Sequence, residues 1–458
     1  TKTLTFVTRL REQQEQLQTT LDILQNLASY DLLTGLSNRH RLLEQVAQSI
    51  EAKKTQRREF ALLMLDIERY SMIKSGFGHE MSDRLIVEVA RRLEKDINSS
   101  IVPARIEANV FAILWPSLDR LDNIEEQVDQ LLQLLGSSFQ LDEITISSTT
   151  RIGVSLSNLP YTQPEAFFQA ADTALQIARQ QKSKNLTIFN MQMQEAAIQR
   201  LNLEVELQKA IEANHLALRY QPIFRLDTQE IVSFEALVRW QHPMRGEIFP
   251  LEFIPLAEET GLIVPLGEWV LAEACHQLGH WQAEFGTVSP VTISVNLSSL
   301  QLQSQNLLSC IDNSLKAASL KGNSLTLEIT ESVLMENIEE ATELLSQLRE
   351  RHIRLSIDDF GTGYSSLAYL QKLPINALKV DASFVKDIEM NPTNFDITLT
   401  IISLANQLGL DVVAEGLEKV EHLDILRSLS CHYGQGFVFS RPLDTNSATE
   451  LIAHQNAS

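Results

Sequence analysis

Residues 353–359 read Ile-Arg-Leu-Ser-Ile-Asp-Asp, a short β-rich run that ends on two adjacent acids. Similar runs lie before and after it, and segments with a helical pattern separate them. These runs cover residues 216–222, 231–239, 291–296, 325–329, 377–380, 411–414 and 434–439. Roughly seven or eight β/α units in about 250 residues predict a closed α/β barrel rather than an open sheet.

Several acids lie within or just after these runs, and one amide, that of Asn296, closes another run. The acids are Glu235, Glu328, Asp358, Asp359, Asp381 and Glu415. In a parallel barrel the strand ends converge on one mouth, where active sites are built. Acids gathered there repel one another unless cations neutralise them, and oxygen ligands without Cys or His suit Mg²⁺ or Mn²⁺ better than zinc. A single such acid is more often a solvated loop or cap residue, but the coincidence across several strands favours a metal site.

Ordered sequence blocks then resemble the motifs of the EAL-domain cyclic di-GMP phosphodiesterases. The blocks are Phe-Glu-Ala-Leu-Val-Arg-Trp (234–240), Ser-Val-Asn-Leu-Ser (294–298), Glu-Ile-Thr-Glu-Ser (328–332), Asp-Asp-Phe-Gly-Thr-Gly (358–363), Lys-Val-Asp (379–381), Glu-Gly (415–416) and Gln-Gly (435–436). The resemblance covers residues 213–445. It implies a modified TIM (β/α)8 barrel whose first strand runs antiparallel, and hydrolysis of 3',5'-cyclic di-GMP to linear 5'-pGpG.

The resemblance also implies two metal ions, Mg²⁺ or Mn²⁺, in each active site. The first ion is expected to be held by Glu235, Asn296, Glu328 and Asp358. The second is expected to be held by Asp358, Asp359 and Glu415, with Asp358 bridging. Two cations about 3.5–4 Å apart can clamp a phosphodiester and lower the pKa of a bound water to about 7.

Three residues of these blocks are expected to act on the attacking water. Lys379 is expected to orient the nucleophile or to offset charge in the transition state. Asp381 is expected to hold the lysine or to share in water activation, and Glu415 is also a candidate base. The residues leave the division of these roles open.

Other residues are expected to hold the substrate or a loop. Arg239 is predicted to reach a phosphate oxygen or the backbone of the substrate, since a guanidinium fork suits that geometry. Gln221, Leu237 and Gln435 are further predicted substrate contacts. Glu331 is expected to steady the loop 360–366, which in the family couples dimer contacts to metal binding, so a homodimer is expected.

The first half of the chain has an α+β pattern. An apolar run at 60–65 ends at Asp66, two short strands are predicted within 104–114 around a turn at 107–109, and helices are predicted over 82–95 and 164–181. This half resembles GGDEF domains, the nucleotide-cyclase-like domains that condense two GTP molecules into cyclic di-GMP. The matching residues are Asp-Leu-Leu-Thr-Gly-Leu-Ser-Asn-Arg (31–39), Asp66, Gly78-His79, Asp83, Ala171-Asp172 and Asn185.

The signature turn of that family is altered in this chain. Its Gly-Gly-Asp-Glu-Phe is replaced by Glu107, Ala108, Asn109, Val110 and Phe111. The family's glycines let the backbone approach the triphosphate and its acids help to bind metal, so cyclase activity is not expected. The product-inhibition motif is also missing at 98–101. A regulatory role, with GTP as a weaker candidate effector, or a plain spacer role stays open.

Two helices are predicted outside these domains. Residues 1–29 carry apolar residues at alternating steps of three and four, which predicts a coiled-coil signalling helix or a helix packed on its own domain. Residues 191–214, rich in Gln, Glu, Leu and Ala, predict a connecting helix. The expected domains are therefore 1–29, a degenerate GGDEF domain over 30–191 and an EAL domain over 192–458 that includes the connecting helix.

Composition excludes several classes of partner and compartment. The formal net charge of -21 opposes nonspecific binding to DNA or anionic lipid. Cys275, Cys310 and Cys431 have no paired spacing, which predicts free thiols in a reducing compartment. No apolar run approaches the roughly 20 residues that span a bilayer. We expect a cytoplasmic protein, or the cytoplasmic part of a longer sensor because the chain starts at Thr1.

Three functions fit these observations. The favoured one is a metal-dependent cyclic di-GMP phosphodiesterase. A catalytically silent cyclic di-GMP receptor is the main alternative, and a bifunctional cyclase and phosphodiesterase is the third.

Overall fold

The structure is a computed structural model that describes residues 28–95, 101–118, 121–141, 144–180, 184–213, 215–286, 291–336, 338–362 and 370–457. The predicted helix over 1–29 lies outside the described residues except for its last two positions, and so do positions 98–100 and 363–366. Two compact units divide between Gln199 and Arg200.

The first unit alternates helices with short strands. In chain order it contains α1 (Arg39–Gln56), β1 (Glu59–Ile67), α2 (Tyr70–Lys95), β2 (Val102–Arg105), β3 (Val110–Leu118), α3 (Ile124–Gly136), β4 (Phe139–Leu141), β5 (Ile144–Ile146), β6 (Thr150–Leu156), α4 (Pro164–Gln180) and β7 (Leu186–Ile188). The main sheet has the order β2-β3-β1-β6-β7, and only the β6–β7 pair is parallel. The predicted α+β fold is confirmed.

The central strand β1 explains why this unit has helices on both faces of its sheet. Its alternate residues enter two different cores: Ala61, Leu63 and Leu65 pack with residues of α2 and α3, whereas Leu62 and Met64 pack with residues of α1 and α4. A strand with both faces covered needs an uninterrupted apolar run, because successive side chains point to opposite faces. That run leads to Asp66 near the carboxyl end of the strand.

The second unit is a barrel that begins after a long helix. Its elements are α5 (Met191–Glu212), which contains the division between the units, β8 (Leu216–Arg225), β9 (Ile231–His242), β10 (Gly246–Ile248), α6 (Pro250–Thr260), α7 (Ile263–Phe285), β11 (Thr292–Leu297), α8 (Ser299–Leu302), α9 (Leu307–Ala317), β12 (Leu325–Thr330), α10 (Glu331–Glu336), α11 (Ile338–Glu350), β13 (Arg354–Phe360), β14 (Ala377–Val380), α12 (Ala382–Val385), α13 (Pro392–Leu408), β15 (Asp411–Ala414), α14 (Val420–Ser428), β16 (Tyr433–Gly434) and α15 (Thr445–Ala457).

The sheet of this unit closes on itself. Its order is β9-β11-β12-β13-β14-β15-β16-β8, with β8 also paired to β9 and β10 added beside β9. β8 runs antiparallel to both of its neighbours, and the pairs from β9 to β16 are parallel. The structure therefore confirms the predicted closed barrel and its antiparallel first strand.

Alternation along the barrel strands separates an apolar layer from a polar interior. On β11, Ile293, Val295 and Leu297 belong to the large core between strands and helices. Their neighbours of opposite parity, such as Thr292 and Ser294, line a cavity instead. Strands β12 and β13 alternate in the same way, because Leu327, Leu355 and Ile357 belong to that core whereas Thr326, Glu328 and Ser356 line the cavity. Because side chains alternate across a strand, the apolar positions hold the helices in place while the polar positions face the barrel axis.

One strand prediction is wrong in its extent. The run 434–439 was expected to be a strand, but β16 covers only Tyr433–Gly434. Gln435 still donates its backbone N–H to the Ala414 carbonyl at 2.9 Å, and the chain then turns, because the N–H groups of Phe439 and Ser440 both donate to the Gly436 carbonyl. The backbone of Leu417 lies so close to Gly436 that a Cβ atom there would collide with it. The apolar residues 437–439 therefore pack in a turn rather than in the sheet.

A search of the described helices for one long and apolar enough to cross a bilayer found none.

Candidate active site

The parallel strands bring the predicted metal-binding acids together in the interior of the barrel. Strand register places Asn296 beside Glu328 on adjacent strands, and Glu235 opposite Gln221 on the antiparallel β8. Glu235 and Glu328 are almost fully buried, with 6% and 2% of their surfaces exposed. Burial of ionised acids is costly unless they are paired. A partner is therefore required.

Lys379 is that partner. Its ammonium lies 2.7 Å from Glu328 Oε2, 3.2 Å from Asp358 Oδ1, 2.5 Å from Glu415 Oε1 and 3.5 Å from Glu235 Oε2. Only 1% of this lysine is exposed. Burial opposes its charge, but the four surrounding carboxylates hold its pKa well above the usual value. One cation thus serves four acids, which leaves the cluster rich in negative charge.

The pKa values of Glu235 and Glu328 are shifted in opposite directions. Burial raises the pKa of Glu328 well above its usual value, and the charges of Glu235 and Asp358 add to this against the opposing effect of Lys379. Burial also opposes ionisation of Glu235, yet Lys379 and hydrogen bonds from Gln435 and Asn296 lower its pKa. Of these two buried acids, Glu235 is therefore the one whose surroundings favour a negative charge.

Two amide side chains hold Glu235 in position. Asn296 Nδ2 donates to Glu235 Oε1 at 2.8 Å, and Gln435 Nε2 donates to Glu235 Oε2 at 2.7 Å. Gln435 is buried, and its Oε1 has no hydrogen-bond partner among the described residues. The predicted substrate contact Gln435 is thus placed as an orienting neighbour of an acid.

A second group of acids lies at the carboxyl ends of β13 and β15. Carboxylate oxygens of Asp358, Asp359 and Glu415 lie within 4.8 Å of one another. Burial raises the pKa of Asp359 to about 6, with the charges of Asp358 and Asp381 adding to the rise. Burial likewise raises the pKa of Glu415 to about 8. Burial and, to a smaller extent, the charges of neighbouring acids therefore oppose the ionisation of both groups.

The backbone at these acids is held in an unusual conformation. Asp359 has φ +53°, a left-handed value that only a few per cent of residues other than glycine adopt. Its N–H donates to Asp358 Oδ1 at 3.1 Å. The turn lets two successive side chains leave the strand end and reach the same group of acids.

Asp381 lies beside this group without touching Lys379. Its carboxylate accepts from the N–H of Ser383 at 3.0 Å and from the Ser383 hydroxyl, which caps the short helix α12. Asp381 is not among the described carboxylates that lie within 4 Å of the Lys379 ammonium. Its carboxyl group also interacts with that of Asp359, with which it shares a hydrogen bond.

Glu331, which was predicted to steady the loop 360–366, contacts the start of that loop directly. Glu331 is buried, and its Oε2 accepts from the N–H of Gly361 at 3.1 Å. Gly361 has φ +100°, and a Cβ atom there would lie 3.0 Å from the side chains of Phe384 and Ile401. Glycine is therefore required at this position. The loop residues 363–366 lie outside the described part of the chain.

A cavity of about 490 Å³ lies next to Asn296, Asp358 and Asp359. Leu237 lines it, as predicted for a substrate contact. Most of the remaining wall comes from α6 and α7, for which the sequence carried no motif signal. These wall residues include Pro250, Leu251, Ile254, Pro255, Ile263 and Leu266. Small-molecule sites commonly combine an apolar wall with a few polar groups, so the cavity has the character of a ligand site.

Arg239 and Gln221 lie on the paired strands β9 and β8. The Arg239 guanidinium donates to the Val238 carbonyl at 2.8 Å, lies 3.8 Å from Glu247 Oε1 and stacks over the Phe249 ring at 5.6 Å. It is 8% exposed, and burial lowers its pKa. Glu247 also accepts from Arg219 at 2.8 Å. Glu247 was not predicted, because a lone acid on the short β10 has no motif.

The donor set of the barrel fits hard divalent cations. It consists of carboxylates and one amide, and the described residues near it offer no thiolate or imidazole ligand. Burial and mutual repulsion oppose the ionisation of Asp359 and Glu415, and a bound cation would offset both effects.

The corresponding acid of the first unit is neutralised within the protein. Asp66 Oδ2 lies 2.7 Å from Arg179 Nε, and Asn109 Nδ2 donates to Asp66 Oδ1. At the altered signature turn, the N–H of Glu107 donates to the Val110 carbonyl at 3.2 Å, and Ala108 O accepts from Arg105 at 3.0 Å. Neither Glu107 nor Ala108 has a positive φ. This turn is built without the backbone freedom of glycine.

Two family models match the chain. The "EAL domain" model matches residues 204–442, and the "Diguanylate cyclase, GGDEF domain" model matches residues 28–185. The chain is a GGDEF-EAL protein. It therefore belongs to the family whose motifs its sequence resembles. Its two domains follow one another in the order that the sequence predicted.

Relatives of this GGDEF-EAL protein include two from Pseudomonas aeruginosa. One, named cyclic di-GMP phosphodiesterase NbdA, is 37% identical over 437 residues, which are 94% of this chain and 54% of NbdA. The other, named bifunctional diguanylate cyclase/cyclic di-GMP phosphodiesterase MucR, is 34% identical over 427 residues, which are 93% of this chain and 62% of MucR. The chain thus spans a little over half the length of these relatives.

A solved structure agrees with the barrel. The structure titled "PaMucR Phosphodiesterase, c-di-GMP complex" is 40% identical, with a TM-score of 0.52, and covers 55% of this chain and 99% of that chain. The covered 55% of this chain is about the fraction that the EAL unit, Arg200–Ser458, makes up. That complex shows that a similar barrel binds cyclic di-GMP.

Proposed function

We propose that the EAL unit hydrolyses 3',5'-cyclic di-GMP to linear 5'-pGpG with Mg²⁺ or Mn²⁺, and that the GGDEF unit has a regulatory role without cyclase activity. The observation that carries the proposal is the excess of acids in the barrel, where one buried lysine contacts four carboxylates next to a ligand-sized cavity. The names of NbdA and MucR, both relatives over nearly the whole chain, support the choice of substrate.

The proposed ligand sets follow the two groups of acids. Glu235, Asn296, Glu328 and Asp358 would hold one cation. Asp358, Asp359 and Glu415 would hold the other. When bound, the cations would neutralise the phosphodiester and lower the pKa of water.

The side chains of this chain supply orientation and charge. Asn296 and Gln435 fix the Glu235 carboxylate, so its oxygens are aimed before substrate arrives. The Lys379 ammonium, held by four acids, is a positive charge in a site of low exposure, where it can stabilise negative charge that develops on the phosphate. Glu415, which follows the end of β15 and lies 2.5 Å from the Lys379 ammonium, is the proposed proton acceptor for the attacking water.

The substrate would enter through the mouth of the barrel. Its bases would meet the apolar wall of the cavity beside Leu237, and its phosphates would meet the acids only when cations shield them. Arg239 is proposed to hold a phosphate oxygen through its fork of N–H groups, and Gln221 to contact the substrate from the antiparallel strand. The unfavourable field of a chain with charge -21 makes these positive contacts necessary.

A turnover assay tests the enzymatic proposal. The purified chain is incubated with labelled cyclic di-GMP and Mg²⁺ or Mn²⁺, and the product is separated by chromatography. We expect linear pGpG with added metal and none with excess chelator. A chain that binds cyclic di-GMP in the presence of metal but never cleaves it would be a receptor, which is the main alternative.

The regulatory role of the GGDEF unit rests on its altered site. Asp66 is occupied by Arg179 and Asn109, and Glu107 brings a negative charge to the signature turn. Because MucR is named as bifunctional, the cyclase alternative needs its own test. Glu235→Ala, which we expect to hydrolyse cyclic di-GMP far more slowly, is incubated with GTP and metal so that any cyclic di-GMP formed would accumulate. We expect none.

Regulation is proposed to act through assembly. A homodimer through the EAL unit and the N-terminal helix, tuned by the loop that Glu331 holds, would make the specific rate depend on protein concentration. The turnover assay is therefore run over a range of concentrations, with and without GTP. A specific rate that changes with neither would leave the GGDEF unit with the role of a spacer.

A further inference from the structure

The barrel has a second cavity at the end opposite to the acids. Its volume is about 470 Å³. Seven of its lining residues are the first or second residue of a parallel strand: Val232, Thr292, Thr326, Arg354, Ala377, Asp411 and Tyr433. Asn296 and Asp358, by contrast, come late in their strands, and Glu415 follows the end of β15. The cavity therefore enters the barrel from its amino-terminal end.

The wall of this cavity combines several hydroxyl groups with the apolar side chains of Ile223, Val232, Ala377 and Val413. Ser233, Thr292, Ser294, Thr326 and Ser356 contribute to its wall on four adjacent strands. The interior of such barrels is usually filled by branched apolar side chains. Glu328 lines the inner end, so the cavity reaches the underside of the acid cluster. A polar space of this size is not explained by packing.

One of these hydroxyl groups has no partner. Ser356 is only 3% exposed, and its Oγ makes no hydrogen bond within the described residues. A buried hydroxyl without a partner is unfavourable, so such groups usually contact a ligand, an ion or ordered water. Ser356 lines the cavity and is therefore available to a molecule inside it.

The rim of the cavity carries positive charge. Arg354 is paired with Asp411 at 2.6 Å and is thereby neutralised. Arg349 instead donates to Asn376 Oδ1 at 2.7 Å and has no carboxylate within 4 Å in the described part of the chain. His352 also lies at the rim. In a chain with net charge -21, an arginine at the mouth of a hydroxyl-lined cavity favours an anion with hydroxyl groups.

We propose that this cavity is a second ligand site that binds a small phosphorylated polyol, such as a triose or pentose phosphate. The phosphate would contact Arg349 at the rim. The ligand hydroxyls would contact Ser356 and Thr326 inside the barrel. This site does not depend on the phosphodiesterase activity proposed above, and its test reads binding alone.

The test is calorimetric titration of the full, metal-free chain with glycerol 3-phosphate, ribose 5-phosphate, inorganic phosphate and glycerol. At least one of the two phosphorylated polyols is expected to bind about tenfold more tightly than inorganic phosphate or glycerol, because two kinds of contact are combined. Absence of binding by both at millimolar concentration would overturn the proposal. If inorganic phosphate bound as tightly as the phosphorylated polyols, the hydroxyl groups of the interior would not contribute to binding, which would contradict the proposal.

Variants locate the binding. Arg349→Gln is expected to weaken it by about tenfold or more, since a charge-assisted contact is lost. The matched control Arg351→Gln, two residues away in a pair with Asp312, is expected to leave it unchanged. Ser356→Ala is expected to weaken binding without lowering the melting temperature, because its hydroxyl has no partner in the protein. Unchanged binding in both Arg349→Gln and Ser356→Ala, or loss of binding in Glu415→Gln, would place the ligand elsewhere and contradict the proposal.

Discussion

The two units treat a buried acid in opposite ways. In the GGDEF unit, Asp66 has one arginine and one amide as partners, so its charge is balanced within the protein. In the EAL unit, Lys379 is the shared partner of four carboxylates, so the cluster keeps an excess of negative charge. Under the proposed function, the ratio of acids to internal cations, rather than the presence of acids, would distinguish the site that takes metal from the one that does not.

Replacing the shared cation should have the largest effect on stability. Lys379→Met would leave buried carboxylates without their ammonium, and removing one partner of a buried ion pair costs about 3–5 kcal/mol. Chemical denaturation of the metal-free protein measures the loss. We expect added Mg²⁺ or Mn²⁺ to restore part of the stability, and the exposed control Lys372→Met to behave as the unmodified chain. A Lys379→Met protein of unchanged stability would show that the lysine does not balance the acids.

Removing one acid should have the next largest effect, on catalysis. Glu235→Ala deletes the carboxylate that Asn296 and Gln435 orient, and the several kcal/mol that a bound metal contributes to the transition state would be lost with it. At 1.36 kcal/mol per factor of ten, turnover should fall by about a hundredfold to a thousandfold. The exposed control Glu284→Ala should keep full activity. Retention of activity by Glu235→Ala would exclude this acid from the site.

Metal binding should stabilise the folded chain through the acids of the EAL unit. A ligand that binds only the folded state adds about 2.7 kcal/mol at a hundred times its dissociation constant. Thermal unfolding is followed with and without Mn²⁺ in the unmodified chain and in Asp358→Asn. We expect the metal to raise the melting temperature of the unmodified chain and to have little effect in the variant. An equal rise in both proteins would place the metal outside the EAL acids.

The smallest effect is expected in the GGDEF unit. Arg179→Ala leaves Asp66 with only Asn109, and since the pair is partly buried the cost should be about 1–2 kcal/mol. The matched control Arg200→Ala removes an exposed ion pair with Glu259 and should cost less than about 1 kcal/mol. The variant is also combined with Glu235→Ala and assayed with GTP, so that any cyclic di-GMP formed would accumulate. Cyclic di-GMP formed by Arg179→Ala would show that the arginine alone had closed the site.

Local patterns in the sequence predicted much of this arrangement. Acids at the ends of apolar runs, such as Asp358 and Glu415, could be placed at one barrel mouth because strand direction alone determines where they meet. The end of β16 could not be predicted, because the turn after Gly434 depends on the approach of the Leu417 backbone. An apolar run contains no information about such a distant contact.

Pairings between distant residues were also outside the reach of local patterns. Lys379 was expected to act on the nucleophile, but its contacts with four acids on other strands follow from barrel closure. The pairing of Asp66 with Arg179 joins residues 113 positions apart. The hydroxyl-lined cavity is similar: each Ser or Thr is ordinary in its strand, and the polar interior exists only when the strands are assembled.

Analysis of the products formed by the chain and by its Glu235→Ala variant tests the contrast between the units most directly. The chain is supplied with cyclic di-GMP and Mg²⁺ or Mn²⁺, and Glu235→Ala is supplied in parallel with GTP and the same metals. We expect the contrast to hold, with linear pGpG in the first reaction and no cyclic di-GMP in the second. Intact cyclic di-GMP in the first reaction, or cyclic di-GMP made from GTP in the second, would contradict it.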